Sequence, residues 1–238
     1  MEKYQLKIVE IVDEINGIKS FYFDKPTELT WSEGAHVHLA HLGYDAGELP
    51  NKNWLRHMSI TTLSSENRIG ITTKVPGSNS EFKTKLAEQK VGDELILFKF
   101  GSRMFLRHMN QPIILLSMGV GMATMRPVIL AYLQDRSNIP YLLNINVNSS
   151  GEFLFRKELD PLTGEDYHNE WITSRAGFYE ALTNLPEKSA AIYYVVGTDD
   201  FMKETIHFLN KKGIVNSDII LDRKDEKLSE YFSYSQNS

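Results

Sequence analysis

The opening third of the chain alternates. Tyr4, Leu6 and Ile8 are separated by polar residues, and Ile18, Phe21 and Phe23 follow the turn pair Asn16-Gly17. Val37 and Leu39 alternate with His36 and His38, and Leu55 to Thr61, Ile69 to Lys74 and Leu95 to Phe100 are further short runs. Side chains of a strand point alternately to its two faces, so a period of two marks strands half buried in a sheet. Several such strands separated by Gly, Pro and Asn predict a closed antiparallel Greek-key β-barrel. One helix interrupts them, from Ser80 to about Gln89, with Phe82 and Leu86 at helical spacing.

Near Arg107 the pattern changes. Ile113-Ile114-Leu115-Leu116 is a continuous apolar run, as a parallel strand covered on both faces requires. A helix over Ala123 to Gln134 follows it. Next come a strand over Tyr141 to Val147, a helix over Phe153 to Leu159 and a strand over Glu170 to Thr173. The series closes with a strand over Ile192 to Val196, a helix over Asp199 to Lys211 ended by Gly213, and a strand over Ile219 to Leu221. Alternating strands and helices predict a parallel α/β sheet. The expected architecture is therefore two domains: a β-barrel over 1–106 and an α/β domain over 107–238.

Composition narrows the functions. The net charge of −5 gives no concentrated basic surface, so no nucleic-acid partner is expected. The chain has no cysteine, which excludes disulfides, thiolate metal sites and cysteine-bound iron–sulfur clusters within it. Any electron traffic must then use an organic cofactor. Cysteine-free sequence and an N-terminus without an apolar leader suit a cytoplasmic setting. Pro112 to Leu133 is apolar and long enough to span a bilayer, but it contains Gly119, Gly121, Arg126 and Pro127. A central arginine is costly in lipid, so the stretch reads as strand, tight turn and helix, with no membrane span.

Four segments carry candidate chemistry. Arg56-His57-Met58-Ser59 lies on a strand, with Arg56 and Met58 on one face and His57 and Ser59 on the other. Gly77-Ser78-Asn79-Ser80 opens the short helix, either as an anion site or as a plain N-cap. Gly119-Val120-Gly121-Met122-Ala123-Thr124 joins the buried strand to its helix, where glycines let the backbone approach a pyrophosphate. Gly197-Thr198-Asp199-Asp200-Phe201-Met202 makes a second strand-to-helix glycine turn. No nucleophile elbow and no phosphate-loop lysine occur. His36, His38 and His41 have a spacing open to metal, but no carboxylate cluster joins them, and no metal is expected.

Taken in order, these segments resemble the ferredoxin–NADP reductase superfamily over nearly the whole chain. Arg56-His57-Met58-Ser59 is similar to its Arg-x-Tyr-Ser flavin motif, Gly77 to Ser80 to its Gly-x-x-Ser motif, and Gly119 to Thr124 to its Gly-x-Gly-x-x-Pro turn. Asn148 to Leu159 resembles the family segment ending in Glu-Leu, and Val196 to Met202 its Cys-Gly-Pro-x-x-Met turn. The sequence departs from the family at Met58 (usually tyrosine), at Thr124 and Thr198 (both prolines) and at Val196 (often cysteine).

The resemblance implies FAD and NADPH or NADH as cofactors. Arg56 then holds a flavin phosphate, Met58 covers the isoalloxazine, and Ser59 lies near N5 as the catalytic residue, with His57 beside them. Thr72, Thr73, Lys74, Gly77, Ser78, Asn79 and Ser80 complete the flavin set. Gly119 to Thr124, with Gly197, Thr198, Asp199 and Met202, hold the nicotinamide nucleotide. Ser174 and Arg175 take a 2′-phosphate, which favours NADPH; the alternative is a solvated loop arginine. Tyr231, Phe232 and Tyr234 either cover the flavin or tuck in the tail. The implied activity is NAD(P)H-dependent reduction of a small-molecule or small redox-protein acceptor. Two alternatives stay open: a partner-bound electron-transfer subunit, and a non-catalytic redox sensor.

Overall fold

In a computed structural model, which describes residues 2–15, 17–75, 80–185 and 190–233, the alternating segments of the N-terminal part form strands. Asn16, Gly77, Ser78, Asn79 and the tail from Tyr234 lie outside the described residues. The chain divides into two compact units, Met1–Phe105 and Leu106–Ser238.

The first unit contains β1 (Lys3–Asp13), β2 (Ile18–Asp24), β3 (Ala35–His41), β4 (Leu55–Ser59), β5 (Arg68–Lys74) and β6 (Glu94–Ser102). They form one sheet in the order β4-β3-β6-β1-β2-β5, every pair antiparallel. A bridge between Ile60 and Ile71, with the Thr61 N–H donating to the Gly70 carbonyl at 2.8 Å, joins the two edge strands. This closure removes the edges that an open sheet would leave unpaired. Leu6, Ile8, Phe21, Phe23, Val37 and Leu39 fill the interior. The helix α1 (Glu81–Ala87) adds Phe82 and Leu86 to the same cluster, since residues four apart share one helix face.

His36, His38 and His41 do not converge. His36 and His38 point to the face of β3 opposite Val37 and Leu39, where the His36 and His57 rings lie 4.2 Å apart. His41 points inward, 4.8 Å from the Phe82 ring, with Nε2 2.9 Å from the Phe82 carbonyl oxygen. Among the described residues no group of three or more His, Asp or Glu is placed to hold a metal ion. Burial, outweighing the Phe82 carbonyl, holds the His41 pKa below the ordinary histidine value. The folded state therefore favours neutral His41. Its contribution to stability is complete above the unfolded value of about 6.5 and is lost as pH falls through the lower folded value. Urea unfolding between pH 7.5 and 5 should show less acid weakening in His41→Gln than in the native chain. Equal slopes in the two proteins would remove His41 from the acid response.

The second unit contains β7 (Ile113–Met118), α2 (Met122–Gln134), β8 (Leu142–Val147), α3 (Arg156–Leu159) and β9 (Tyr167–Ile172). Then follow α4 (Arg175–Asn184), β10 (Ile192–Val196), α5 (Asp199–Lys211), β11 (Ile219–Leu221) and α6 (Asp225–Phe232). The sheet is wholly parallel in the order β11-β10-β7-β8-β9. One face carries Ile114, Leu116 and Ile145 against Phe178 of α4 and Phe201 and Ile206 of α5. The apolar stretch from Pro112 becomes β7, a turn and the buried α2; among the described residues no helix is long and apolar enough to cross a membrane. α5 ends as expected: the Gly213 N–H donates to the Asn210 carbonyl at 2.9 Å and the Ile214 N–H to Leu209 at 3.1 Å.

Three details differ from the pattern reading. The helix expected over Phe153 to Leu159 starts only at Arg156, because Phe155 sits at φ +60° and interrupts it. Residues after Ile172 form α4, capped by Ser174 and docked through Phe178 and Leu182, a helix the pattern does not mark. α6 follows β11, docked through Tyr231.

Candidate functional site

The first unit gathers cations where α1 begins. Register places Arg56 opposite Leu39 and Met58 opposite Val37, with His57 and Ser59 on the other face of β4. The Arg56 guanidinium is anchored by the carbonyls of Lys52 at 3.1 Å and Leu55 at 2.6 Å. Its Nη2 donates to Ser80 Oγ at 3.0 Å, and its Cζ lies 5.9 Å from the Phe82 ring centre. Ser80 occupies the N-cap position of α1, yet its hydroxyl caps no backbone N–H. The hydroxyl accepts from Arg56 instead.

Lys83 completes this cluster and was not visible in the motifs. Its pKa is lowered, first by burial and then by the charges of Arg56 and Lys74. Like charges crowd only at a cost, and the cost is relieved by an anion. A phosphate group fits a site with a forked guanidinium, a serine hydroxyl and two ammonium groups. The signal for Lys83 in the sequence is its place one helical turn after Ser80.

The remaining residues expected at a flavin divide. Met58 is half-buried and packs against the barrel cluster. Ser59 ends β4 opposite His36, and His57 is exposed. Thr73 shares the face of Ile69 and Ile71, whereas the Thr72 hydroxyl is 2.7 Å from Ser20 Oγ in a buried pair. Lys74 is exposed at the end of β5. Gly77, Ser78 and Asn79 lie outside the described residues.

In the second unit the two glycine turns flank the point where strand order reverses. The chain leaves β7 toward β8 on one side, while β10 lies on the other. In parallel α/β sheets ligands sit outside the strand carboxyl ends at such a switch point. Gly119 has φ +54° with open space around its missing Cβ. A Cβ on Gly121 would come within 2.8 Å of the Val196 carbonyl oxygen, so the first turn closes directly over the end of β10. At the second turn a Cβ on Gly197 would run into the Phe201 ring. The absent side chains thus bring two strand-to-helix turns together and leave the backbone open at Gly119, which suits a pyrophosphate.

Several residues assigned to this site by sequence serve packing. Met122, Ala123, Thr124 and Met202 are buried, whereas Val120 is exposed. Thr198 caps α5 by accepting the Phe201 N–H at 3.3 Å, doing by hydrogen bond what a proline does by covalent restraint. The Asp199 carboxylate is taken up by the Tyr231 hydroxyl at 2.8 Å and Arg223 at 3.1 Å, which lower its pKa in that order. Tyr231 thereby ties α6 to the second glycine turn, and it contributes to the core of this unit. Of the other tail aromatics, Phe232 packs against the same cluster and Tyr234 lies outside the described residues.

Two further residues escaped the motif reading. Asn146 Nδ2 donates to Ser117 Oγ at 2.8 Å, both fully buried beneath the first glycine turn. The signal was available: each is a polar residue within a run of buried apolar strand. Behind them, Arg126 of α2 makes a two-pronged ion pair with Glu158 of α3 at 2.6 and 2.7 Å. The Glu-Leu end of the Asn148 to Leu159 segment is thus a brace for α2.

Ser174 and Arg175 stand at the start of α4, beyond the carboxyl end of β9. Ser174 Oγ accepts the Gly177 N–H at 3.0 Å. Arg175 Nη2 lies 3.3 Å from Glu204 Oε2, and its guanidinium lies 5.3 Å from the Phe201 ring centre. Arg175 is therefore held by α5 and is not a loop arginine.

This fold is similar to that of solved ferredoxin–NADP reductase-like FAD/NAD-binding domains. The chain matches a ferredoxin NADP+ reductase from Neisseria gonorrhoeae, solved with bound FAD and NADP, at TM-score 0.79 and 16% identity. The match covers 93% of this chain and 98% of that one. The flavohem-like FAD/NAD-binding domain of nitric oxide dioxygenase from Vibrio cholerae matches at TM-score 0.73 and 19% identity, covering 92% and 97%. A siderophore-interacting protein from Acinetobacter baumannii matches at TM-score 0.74 and 12% identity, covering 97% and 95%. No family model and no curated protein matches the sequence.

Proposed function

We propose that the chain is an FAD-dependent NAD(P)H oxidoreductase that delivers electrons to a separate acceptor. The observation that carries this reading is the contact of Arg56 with Ser80 beside Lys74 and Lys83, a built anion cradle on a barrel of this fold. The unit Met1–Phe105 holds FAD, and the unit Leu106–Ser238 holds the nicotinamide nucleotide. Bound FAD supplies the redox chemistry, accepting two electrons from the reduced nicotinamide and releasing them to the acceptor.

The chain's own residues orient and bind. Arg56 and Lys83 neutralise the flavin phosphates, and Ser80 holds the Arg56 guanidinium in place. Met58 offers a thioether to the flavin ring where relatives of this fold class use tyrosine, and sulfur packs favourably on aromatic faces. Ser59 donates a hydroxyl hydrogen bond at the ring's reactive edge. The turns at Gly119 and Gly197 present backbone N–H groups to the dinucleotide pyrophosphate. The solved ferredoxin NADP+ reductase with FAD and NADP supports this pairing of cofactors.

The test is an absorbance spectrum of the purified protein, taken again after anaerobic addition of NADPH and of NADH. Flavin bands that bleach within seconds are the expected result. A protein that retains no FAD after reconstitution overturns the reading. One that binds FAD but is not bleached by either nucleotide is a sensor or a partner-gated subunit.

A further inference from the structure

The pair formed by Arg175 and Glu204 has a consequence for nucleotide choice, and it rests on the reading of the second unit as a nicotinamide-nucleotide domain. We infer that Glu204 of α5 is a specificity-determining residue: by competing for Arg175 it keeps NADH acceptable beside NADPH.

Arg175 opens α4 next to Ser174, and on that reading it is the cation that would meet a 2′-phosphate. Ser174 Oγ accepts the Gly177 N–H, and this leaves its own O–H free to donate to an anion. Arg175 is not waiting unopposed. Glu204 lies 3.3 Å from its Nη2. The Tyr179 hydroxyl donates to the same Glu204 Oε2 at 3.3 Å, which fixes that carboxylate on the side of Arg175. The Phe201 ring centre lies 5.3 Å from the guanidinium carbon. Only Nη2 faces Glu204, while Nη1 makes no hydrogen bond among the described residues. The Arg175 and Glu204 side chains are 39% and 50% exposed, so the pair is weak enough for a ligand to rearrange.

Two opposed effects follow. A 2′-phosphate must share Arg175 with a carboxylate and approach that carboxylate's negative charge. Its recognition is therefore weakened, although a guanidinium beside a phosphate is otherwise a strong, forked contact. A ribose 2′-hydroxyl brings no charge and can donate to the same carboxylate, as acidic residues do in NAD sites. One carboxylate thus penalises NADPH and assists NADH.

The experiment is calorimetric titration with adenosine 2′,5′-bisphosphate and with 5′-AMP, using the native chain, Glu204→Gln and Arg175→Gln. The two nucleotides differ only at the 2′ position, and neither is a redox substrate. Glu204→Gln should bind the bisphosphate about three- to fivefold more tightly and 5′-AMP no more tightly than the native chain does, the scale of a half-exposed charge pair. Arg175→Gln should weaken the bisphosphate about tenfold and leave 5′-AMP within twofold. Steady-state turnover should shift the NADPH/NADH ratio of kcat/KM in the same directions. A Glu204→Gln ratio of the two dissociation constants equal to the native ratio overturns the inference. So does an Arg175→Gln protein that still discriminates as the native chain does. Failure of the wider reading shows separately, as loss of FAD binding or of bleaching in the native chain while these two ratios move as stated.

Discussion

Arg56→Ala is expected to bind FAD about ten- to a hundredfold more weakly than the native chain, read by quenching of flavin fluorescence on titration. The magnitude comes from the hydrogen bond of a charged group, about 1.5–3 kcal/mol, with each 1.4 kcal/mol worth a factor of ten. The guanidinium is preorganised: two backbone carbonyls hold one of its nitrogens, and Ser80 meets the other. Little side-chain freedom remains to be lost on binding, so the contact retains most of its value. Arg56→Lys keeps the charge but loses the fork and should recover only part of the affinity. Lys83→Met should weaken FAD by a smaller factor, because burial and the charges of Arg56 and Lys74 already disfavour the charged form of Lys83. An Arg56→Ala protein that binds FAD within twofold of native removes the anion cradle as the basis of flavin binding.

Gly121→Val is expected to abolish bleaching by either nicotinamide nucleotide while flavin binding persists. Even the first added carbon meets the Val196 carbonyl oxygen at 2.8 Å and the Val196 side chain at 3.2 Å. These neighbours include backbone at the end of a central strand, which cannot rotate away as a side-chain tip can. The turn must lift off β10, and overpacking of this kind costs about 1–3 kcal/mol. For a chain of this size each kcal/mol lowers Tm by about 2–4 °C. Gly213→Ala, just past the end of α5 and outside the proposed nucleotide site, is the matched control. Open space surrounds its missing Cβ, so the substitution brings only the left-handed strain of its +85° φ, about 1–2 kcal/mol. The two proteins should lose comparable stability, yet only Gly121→Val should lose the nucleotide response. Bleaching by NADPH at the native rate in Gly121→Val would show that the crevice over β10 is not where the nucleotide binds.

The cysteine-free composition excluded thiolate metal sites and cysteine-bound iron–sulfur clusters, and the change of hydrophobic period near Arg107 separated an antiparallel unit from a parallel one. Both readings rest on local physics: alternation follows from strand pleat, and an unbroken apolar run follows from burial on both faces. Such signals need only a few neighbouring residues. The same locality explains the misses. Phe153 and Leu154 are apolar enough for a helix, but the left-handed turn at Phe155 answers to the fold around it. α6 is weakly marked in sequence because Tyr231 gains its partners, Asp199 and Arg223, from elsewhere in the chain.

The candidate site divides along the same line. The sequence by itself supplied the residue types and their order: Arg56, Ser80, the two glycine turns, and Ser174 with Arg175. Only the tertiary structure decided what each of them faces. It joined Arg56 to Ser80, brought Lys83 near Arg56 and Lys74, buried Asn146 against Ser117, and set Glu204 against Arg175. Glu204 lies far along the chain from Arg175, on another helix, and no period or motif links them. A sequence records propensities over a few residues, whereas a charge interacts with whatever lies within a few ångströms, and chain folding alone determines those neighbours.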